Sequence, residues 1–558
     1  MQTLDYITIS FFTLGILCTG LLFSRSGKSM KNFFSAGGAV PWGMGGLSLF
    51  MGFFSAGTFV VWGSIAYSAG WVAVTIQWTM CIAGLLVGMF IAPRWRKTGV
   101  LTAAEYITGR LGLRIQKSYT LLFLFVSLFT TGSFLYPVGK ILEVSTGLPL
   151  STCILLIGGV SILYVTVGGL RAVVVTDVLQ FIILFSAIVI VIPLAFDMVG
   201  GVSNFIRSVP DTFFDLTNSE YSWGFIIAFG LYNAVFLGGN WAYVQRYTTV
   251  KDQASARKVG YLFGGLYSFS PILWMLPAMI YFVVNPNLSG LNDEGAYLLM
   301  CKEVLPAGLL GLMLGGMIFA TASSLNATLN ISAGVFTNDI FKRLFPHSTD
   351  RTLVKVARIS TIGFGLSAIV IALLIPLMGG VVNVVISVGA LTGVPLYLPV
   401  IWTLFSKRQT GKSVLSVTLI SLAVNLFFKF CAPWMLGISL DRAQEMILGV
   451  GFPFVCLLAY EIWAKMQGKV SETYLRYEKS QDILEAERPD PAQLAEVKRE
   501  NRFSQRVVGI GIGIAGLTIA TLGVVNTSGR SIVLAVGIFL ALFGTIIYLL
   551  NRNRDDKA

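Results

Sequence analysis

The feature that most constrains this chain is a series of apolar runs, each about long enough to cross a lipid bilayer as a helix. A spanning helix needs roughly 20 predominantly apolar residues. The ninth run is too long for one simple span, so we expect a lead-in segment before it and an extension after it. The pattern predicts an all-α polytopic membrane protein with about 15 spans. The predicted bounds of the fifteen runs are 5–24, 43–69, 71–93, 118–140, 149–169, 173–198, 222–245, 259–284, 302–341, 354–378, 380–405, 413–431, 444–464, 507–525 and 531–551.

Composition excludes a soluble protein. Hydrophobic residues make up 55% of the chain and charged residues 12%, with a mean hydropathy of +0.77. A soluble domain carries about 25% charged residues, so this chain would expose large apolar patches in water. The single histidine, His347, and six cysteines without CxxC spacing indicate neither histidine catalysis, a disulfide framework nor a His/Cys metal site. We therefore expect no enzymatic activity. The opening MQTLDYITIS lacks a basic signal region, so the first run is predicted to be a retained helix.

The distribution of basic residues predicts the orientation. When the N-terminus is placed outside and the spans alternate, 34 of the 40 lysines and arginines fall inside. This bias follows the positive-inside rule, so we expect the N-terminus outside and the C-terminus in the cytoplasm of a plasma (inner) membrane. The net charge of +13 is then a signature of topology, and no nucleic-acid partner is expected. The six outside exceptions are Lys140, Arg207, Lys302, Lys429, Arg442 and Arg530.

Two polar segments lie between the spans. Residues 465–506 are rich in Glu, Lys and Arg and are broken at Pro489–Pro491. The composition favours a solvated cytoplasmic linker that is largely helical, and a docking surface for a partner is the alternative. The outer loop 199–221 carries acidic and aromatic residues and is a candidate lid. No obligate protein partner is indicated.

Two spans contain signals for an interrupted helix. The second span has Gly52, Ser55 and Gly57 near its middle, and the seventh has a cluster of glycine and asparagine residues. These spans begin two successive groups of five, 43–198 and 222–405, and the odd number inverts the second group. Interrupted helices at matching places in inverted halves indicate a transporter site. Packing of small residues between helices is the alternative. The cluster in the seventh span consists of Gly230, Asn233, Gly238, Gly239 and Asn240.

The ninth span carries a polar stripe. The adjacent residues Ser323 and Ser324 offer two hydroxyl oxygens, to which a loosened turn would add backbone carbonyls. Oxygen ligands suit a hard cation, and a set without carboxylates favours a monovalent ion over calcium. The alternative is that these hydroxyls bond back to their own helix. The full stripe comprises Thr321, Ser323, Ser324, Asn326, Thr328, Asn330 and Ser332.

One ionisable residue lies at the inner end of an apolar run. Asp177 follows the segment GGLRAVVVT, and such residues in membrane helices are functional candidates by default. An ion pair with Arg171 at the helix end is the structural alternative.

At these residues the chain resembles the sodium:solute symporter family, which includes sodium–glucose cotransporters, proline and pantothenate permeases and sialic acid symporters. The resemblance covers roughly 5–465. It rests on SLFMGFFSAGTFVVWGSIAYSAGW, GGLRAVVVTDVLQ, NWAYVQR and ATASSLNATLNISAGVFTNDIF. The resemblance implies a five-plus-five inverted repeat of the leucine-transporter type, with one extra helix before it and about four after it.

This resemblance divides the chain into six parts. An N-terminal helix and first cytoplasmic loop precede the first repeat, and the second repeat is followed by two additional helices, a charged linker, and the last two helices with a short tail. These parts correspond to 1–42, 43–198, 222–405, 406–464, 465–506 and 507–558.

The resemblance also implies a sodium site. It would use the carbonyls of Met51, Phe54 and Ala320 with the hydroxyls of Ser323 and Ser324. A second sodium, known in sialic acid symporters, would use positions that here are Asn326 and Ala327. Ala327 has no hydroxyl, so we expect one coupling ion. Asp177 is then a candidate for the sodium exit route.

The residue types at the family's sugar-binding positions match this chain less closely than those at the sodium site. These positions fall on Thr58, Gln77, Met80, Asn233, Tyr267, Asn383 and Ile386, of which Asn233 alone keeps the residue type. The inner gate falls on Phe236, which retains the ring but lacks the hydroxyl. The resulting pocket is uncharged and moderately polar, and this favours a neutral solute.

The sequence therefore predicts a sodium-coupled symporter that imports a small neutral polar solute, sugar or sugar-like, by alternating access. Sodium- or proton-coupled uptake of a carboxylate, amino acid or vitamin is the alternative. A sensor is disfavoured because the linker is the only long polar segment, and a channel because the interrupted helices suggest an occluded site. The partners expected are the solute and the lipid bilayer.

Overall fold

The computed structural model describes residues 2–24, 40–100, 102–164, 170–485, 491–526 and 529–552. Every regular element in these ranges is helical, apart from an isolated bridge between Val40 and Val250. The helices of the first half are α1 Thr3–Ser24, α2 Trp42–Met51, α3 Gly63–Ala69, α4 Val72–Leu86, α5 Ala92–Lys97, α6 Ala103–Leu111, α7 Leu113–Thr146, α8 Leu150–Tyr164, α9 Leu170–Met198 and α10 Val202–Ser208.

The second half begins with a sharply bent helix pair and continues into longer helices. Its elements are α11 Trp223–Gly239, α12 Trp241–Thr248, α13 Gln253–Val284, α14 Ala296–Val304, α15 Leu309–Val335, α16 Lys342–Leu344, α17 Asp350–Leu374, α18 Val381–Val388 and α19 Val394–Thr403. The C-terminal helices are α20 Gly411–Leu426, α21 Ala432–Met435, α22 Arg442–Met466, α23 Glu472–Glu485, α24 Pro491–Val525 and α25 Arg530–Arg552.

Short segments of other helical types join several of these helices. Wider π-helical turns continue a helix through a local change of pitch, and tighter 3₁₀ turns lie in the loops. The π segments are Thr58–Trp62, Val87–Ile91, Phe336–Phe341, Gly389–Gly393 and Phe427–Cys431, and the 3₁₀ segments are Asp211–Phe214, Gly290–Gly295 and Ile375–Met378.

The membrane-spanning character follows from helix length and apolarity. Within the described ranges ten helices are long and apolar enough to cross a membrane, or eleven if α11 and α12 form one bent span. The other predicted spans coincide with helices that are broken, short or only partly described, so the count of fifteen stays a prediction. The overlong ninth run resolves as expected, because α14 ends at Val304 and α15 begins only at Leu309.

The charged linker differs in part from the expectation. Its first half forms α23, which lies against α6 rather than standing free in solvent. Tyr477 of α23 packs edge-on against Tyr106 of α6, with ring centroids 5.7 Å apart. The proline-flanked break at 486–490 lies outside the described residues, and α24 then runs from Pro491 into the next span without interruption.

Close glycine contacts join α13 to α4 and to the π segment Val87–Ile91 that follows it. A Cβ atom on Gly260 would lie 2.4 Å from the Gly88 Cα atom, and one on Gly264 would lie 2.9 Å from the Cys81 carbonyl oxygen. Small residues let two helix backbones approach in this way, and membrane helices use such contacts because lipid supplies little hydrophobic drive for association.

The first helix is attached to the N-terminus of α15. Asp5 is 2% exposed, and its Oδ1 atom accepts hydrogen bonds from the amides of Gly308 (2.7 Å) and Gly311 (3.1 Å). Thr8 adds a bond from its hydroxyl to the Gly308 carbonyl at 2.9 Å. A carboxylate at this end satisfies amides that lack partners within the helix and complements the helix dipole.

Candidate functional site

The second predicted span is interrupted between α2 and α3, and the hydrogen bonds at the break are unlike those of a helix. The Ser55 amide donates to Thr58 Oγ1 (3.1 Å), and the Thr58 amide donates to the Ser55 carbonyl (2.9 Å). In a continuous helix these amides would bond the carbonyls of Met51 and Phe54, four residues earlier. The break therefore releases both carbonyls from the helical pattern. The Thr58 hydroxyl stabilises it further by donating to the Phe53 carbonyl at 2.5 Å.

Helix α15 lies directly beside this break. The Ala56 amide donates to Thr321 Oγ1 at 2.9 Å, and the neighbouring Ala320 is buried. Ser324 Oγ lies 3.5 Å from the Ala320 carbonyl oxygen, one turn earlier on the same helix. The side chains of Ser323, Asn326 and Ala327 lie outside what the structure describes.

The expected loosened turn is absent from α15. The helix runs unbroken from Leu309 to Val335, so any carbonyl ligand from this segment would belong to a regular helix. Thr321 and Thr328 donate to the carbonyls of Met317 and Ser324. These two hydroxyls therefore bond back to their own helix, which was the alternative interpretation of the polar stripe. Within the described ranges, no three His, Cys, Asp or Glu side chains converge on a metal site. Backbone carbonyls and hydroxyls are therefore the oxygen atoms available at this break.

A central cavity of about 170 Å³ adjoins the break. This is roughly tenfold the 10–15 Å³ that one buried water needs, so the cavity has room for a small organic molecule. The predicted solute residues that line it are Thr58, Gln77, Met80, Asn233, Phe236 and Tyr267. None of the described side chains that line it is charged.

Two amides give the cavity its hydrogen-bonding character. Asn233 on α11 is 4% exposed and donates to Thr79 Oγ1 at 2.9 Å, a bond that fixes the side chain against α4. Gln77, 2% exposed, reaches the same cavity from α4. Each amide carries donors and an acceptor, so together they can bond to hydroxyl or amide groups of a solute. Thr58, by contrast, already uses its hydroxyl in the helix break.

Two predicted residues do not line the cavity. Asn383 donates to the Gly379 carbonyl at 2.7 Å and accepts from Arg442, and Ile386 is buried elsewhere in the core. The wall contributed by this part of the chain is instead the face formed by Val385, Val388, Gly389, Thr392 and Gly393. A helix turns about 100° per residue, so Asn383 and Ile386 point away from that face.

Aromatic residues that were not predicted from the sequence form much of the remaining wall of the cavity. Tyr243 lies 4.6 Å from Phe53 and 5.7 Å from Phe236 between ring centroids, and Tyr397 lies 5.8 Å from Phe236. The spacing of Phe229, Tyr232 and Phe236 was the available signal, because residues three, four and seven apart share one helix face.

A second chamber begins behind Phe236, which lines both spaces. Asp177 and Ser324 both line this chamber. Ser48 donates to Asp177 Oδ2 at 2.6 Å and accepts from Arg246 Nε at 3.1 Å, so it bridges the acid to a buried arginine of α12. The side chain of Arg171, which the alternative interpretation paired with Asp177, lies outside the described residues.

The seventh predicted span is interrupted at Asn240. Helices α11 and α12 meet there at an angle of 60°. Asn240 accepts from the Ala242 amide at 3.0 Å and thereby begins α12, while its Nδ2 atom donates to the Tyr397 hydroxyl at 3.3 Å. The bend is therefore hydrogen-bonded to Tyr397, a residue of the cavity wall.

Polar contacts outside the cavity lining join several further elements. Glu294 accepts from the Tyr136 hydroxyl (2.7 Å) and from the Val381 amide (3.0 Å). Arg442 of α22 bonds to Glu220 in the candidate lid as well as to Asn383. A helix beyond the predicted repeats therefore contacts both the candidate lid and the second repeat.

Comparison with known proteins agrees with this arrangement of broken helices around a central cavity. The family model of the sodium:solute symporter family matches residues 33–420, and the chain belongs to that family. It is 28% identical over 497 residues to a sodium/glucose cotransporter of Vibrio parahaemolyticus, which covers 82% of this chain and 90% of the relative. It is 26% identical over 378 residues to the sodium/sialic acid symporter SiaT of Proteus mirabilis, covering 65% of this chain and 76% of the relative.

Solved structures support the same fold. A Na⁺-coupled sialic acid symporter in a substrate-bound outward-open state aligns with a TM-score of 0.70 at 24% identity, covering 83% of this chain and 98% of that one. Mhp1, a nucleobase-cation-symport-1 family transporter, aligns with a TM-score of 0.55 at 17% identity, covering 81% and 99%. The chain is therefore a membrane-embedded member of a transporter family with an all-helical fold of this type.

Proposed function

We propose that this protein is a sodium-coupled symporter that imports a small, neutral, polar organic solute, sugar or sugar-like, by alternating access. The single observation that carries the proposal is the break between α2 and α3, where the carbonyls of Met51 and Phe54 are released beside α15. With the Ala320 carbonyl and the hydroxyls of Ser323 and Ser324, these carbonyls would form an oxygen set suited to a monovalent hard cation.

Sodium at this position would join two elements that belong to different repeats. Binding would hold the α2–α3 break against α15 and so favour one conformation of the cavity, since a ligand shifts an equilibrium by its differential affinity for the two states. After rearrangement, release would follow the second chamber past Asp177. Proton coupling through Asp177 is the rival mechanism.

The solute would bind in the central cavity, between the amides of Gln77 and Asn233 and the aromatic wall. The uncharged lining supports a neutral solute, because a carboxylate usually requires a cation or a helix N-terminus. Phe236, between the two chambers, is in position to act as the inner gate. The relatives' names include glucose and sialic acid, and these two solute classes are the first to compare.

One ion is energetically sufficient. A tenfold sodium gradient supplies about 1.4 kcal/mol, and a membrane potential of 100 mV adds about 2.3 kcal/mol per charge. Together they could concentrate a neutral solute roughly 500-fold. We therefore propose a stoichiometry of one sodium per solute, with the N-terminus outside and the C-terminus in the cytoplasm.

Uptake into proteoliposomes tests the proposal. A thermal-shift screen of the purified protein against sugars, sugar acids, amino acids and vitamins, each with and without sodium, first selects the solute, since binding to the folded state raises the melting temperature. Labelled solute should then accumulate saturably under an inward sodium gradient. Accumulation driven by a proton gradient in the absence of sodium would overturn sodium coupling, and selection of a carboxylate would overturn the neutral-solute assignment.

A further inference from the structure

A polar cavity of about 330 Å³ lies away from the central cavity, where α5, α6, the end of α19 and α23 meet. Three cationic side chains line it, from Arg94, Lys97 and Arg110, against the single carboxylate of Glu478. Arg94 and Lys97 are exposed residues of α5, whereas Arg110 is almost completely buried. We refer to this space as the α6–α23 cavity.

Arg110 is the residue that the fold leaves incompletely satisfied. It is 1% exposed, and its guanidinium donates to Thr473 Oγ1 (3.3 Å) and to the carbonyls of Ser406 (3.0 Å) and Gln409 (3.3 Å). The guanidinium carbon also lies 5.0 Å from the centroid of the Tyr474 ring, whereas the Nε atom has no hydrogen-bond partner among the described residues. No described carboxylate lies within salt-bridge distance of it. Burial lowers the pKa of Arg110. A buried cation without an anionic partner is costly, so this position lacks a negative charge.

The acid that lines the cavity already has other partners. Glu478 accepts from the Tyr474 hydroxyl at 2.7 Å and lies 3.6 Å from Lys407 Nζ, and these contacts lower its pKa. The Tyr106 hydroxyl is likewise bonded to Thr403 Oγ1 at 3.0 Å. The cavity therefore keeps an excess of positive charge that no described group neutralises.

The exposed cations add donors at the mouth of the cavity. Arg94 stacks on Phe405, its guanidinium carbon 4.1 Å from the ring centroid, and donates from Nη1 to the Phe90 carbonyl at 2.8 Å. Phe90 and Phe405 are each nearly half exposed, so this side of the cavity combines cationic and apolar groups. Lys97 lies about one turn from Arg94 on the same helix, and both side chains line the cavity.

We propose that the α6–α23 cavity binds a phosphate group, carried by an anionic phospholipid or by a soluble phosphate. Arginine forks and a lysine match the several oxygens of a phosphate, and basic pockets at the ends of membrane helices are suited to lipid headgroups. The bound group would supply the negative charge that Arg110 lacks. It would also tie α5 to α6 and α23, which gives the charged linker helix a defined role.

The test uses the full chain and separates the two sources. In one arm, native mass spectrometry measures retention of phosphatidic acid against phosphatidylcholine with the same acyl chains, after release from mixed nanodiscs. In the other, thermal shift of delipidated protein in detergent measures binding of inorganic phosphate against chloride at equal ionic strength. Preferential retention of phosphatidic acid identifies a lipid site, and stabilisation by phosphate identifies a soluble ligand.

The double variant Arg94→Gln/Lys97→Gln changes exposed residues only, so it should fold. We expect it to weaken binding by about 10- to 100-fold in whichever arm is positive, as expected for loss of charge-assisted hydrogen bonds. Lys412→Gln, which removes an exposed charge from the first turn of α20, should leave binding unchanged. Arg110→Lys, which keeps the charge but loses the fork, should also weaken it. Absence of binding in both arms, or equal binding by the double variant and wild type, would overturn the proposal.

Discussion

The Ala56 backbone amide donates a 2.9 Å hydrogen bond to the Thr321 hydroxyl, and this bond joins the broken second span to α15. Thr321 is itself held in place by a 2.9 Å bond to the Met317 carbonyl. The hydroxyl thus sets the relative position of the two elements that we propose share a sodium ion. It also satisfies an amide that the helix break would otherwise leave buried without a partner.

Thr321→Val should therefore destabilise the protein and weaken sodium binding together. Valine has nearly the shape of threonine but cannot accept the bond, and an unsatisfied buried amide costs about 1–3 kcal/mol. The measurement is thermal unfolding in detergent over a range of sodium concentrations. Thr361→Val is the matched control, because the Thr361 hydroxyl bonds only to Ala357 on its own helix. Identical unfolding curves for the two variants would contradict the role of Thr321.

Ser324→Ala, alone and with Ser323→Ala, should raise the sodium concentration needed for half-maximal uptake by about fivefold or more, since a lost hydrogen-bonding oxygen costs at least about 1 kcal/mol. Alanine preserves the helix, so the protein should still reach the membrane. Ser332→Ala is the control on the same helix, because that hydroxyl bonds to Ser127 Oγ at 3.0 Å. Unchanged sodium dependence in the double variant would show that neither serine is a sodium ligand.

We propose that this chain lacks a second sodium site because Ala327 has no hydroxyl, so uptake should depend hyperbolically on sodium. The Hill coefficient should be close to one, with one charge moved per neutral solute. Parallel measurements of solute flux and current in proteoliposomes check this ratio. A Hill coefficient clearly above one, or two charges per solute, would show that a second ion binds.

Substitutions of residues that line the solute cavity should affect solute affinity differently from a substitution of Asn383, which does not line it. Gln77→Ala and Asn233→Ala should each lower solute affinity about five- to 150-fold, corresponding to an unpaired buried polar group worth about 1–3 kcal/mol. Sodium binding without solute should survive. Asn383→Ala should leave affinity unchanged, since its side chain contacts Arg442 rather than the cavity. If Asn383→Ala lowered solute affinity and Asn233→Ala did not, the solute would bind elsewhere.

The buried carboxyl of Glu294 makes stability depend on pH. Burial is the main cause that raises its pKa above 4.5, with a smaller contribution in the same direction from Asp293 and opposing contributions from its hydrogen-bond donors and Lys140. The folded protein therefore holds the proton more tightly than the unfolded chain. This contribution to stability is fully present below about pH 4.5 and is lost as the pH rises through the raised pKa.

Glu294→Gln stays neutral throughout and keeps the acceptor for the Val381 amide. We expect the variant to be more stable than wild type at neutral pH, with the difference shrinking towards zero below about pH 4.5. Melting temperatures measured across this range check the trend. Glu303→Gln, an exposed residue of the adjacent α14, is the control for a change in surface charge. A difference that does not vary with pH would contradict this account.

Much of the fold could be predicted because apolar runs and helix-breaking residues are local signals. The glycines and Ser55 mark the first break, and Asn240 marks the bend between α11 and α12. Ser48, Asp177 and Arg246 each lie in a segment that carries the family resemblance, but only the structure shows that they form one network.

The sequence could not show how each helix is rotated about its axis. Asn383 and Ile386 lie only one or two residues from the positions that line the cavity, but that offset turns a side chain through about 100–200°. The partnership of Asp177 with Arg246 also depends on tertiary packing, since nothing local to Asp177 specifies a residue on α12. Similarly, the packing of α23 against α6 could not be inferred from its charged composition.

The hydrogen bonds of Asp5 to the N-terminus of α15 make the first helix a fixed support for α15. Because α15 carries three of the five proposed sodium ligands, fixing its N-terminus to α1 favours motion in the opposing broken helices. Excision of the two five-helix repeats would strip the Gly308 and Gly311 amides of their carboxylate partner. The smallest unit of this protein that keeps α15 intact therefore includes α1.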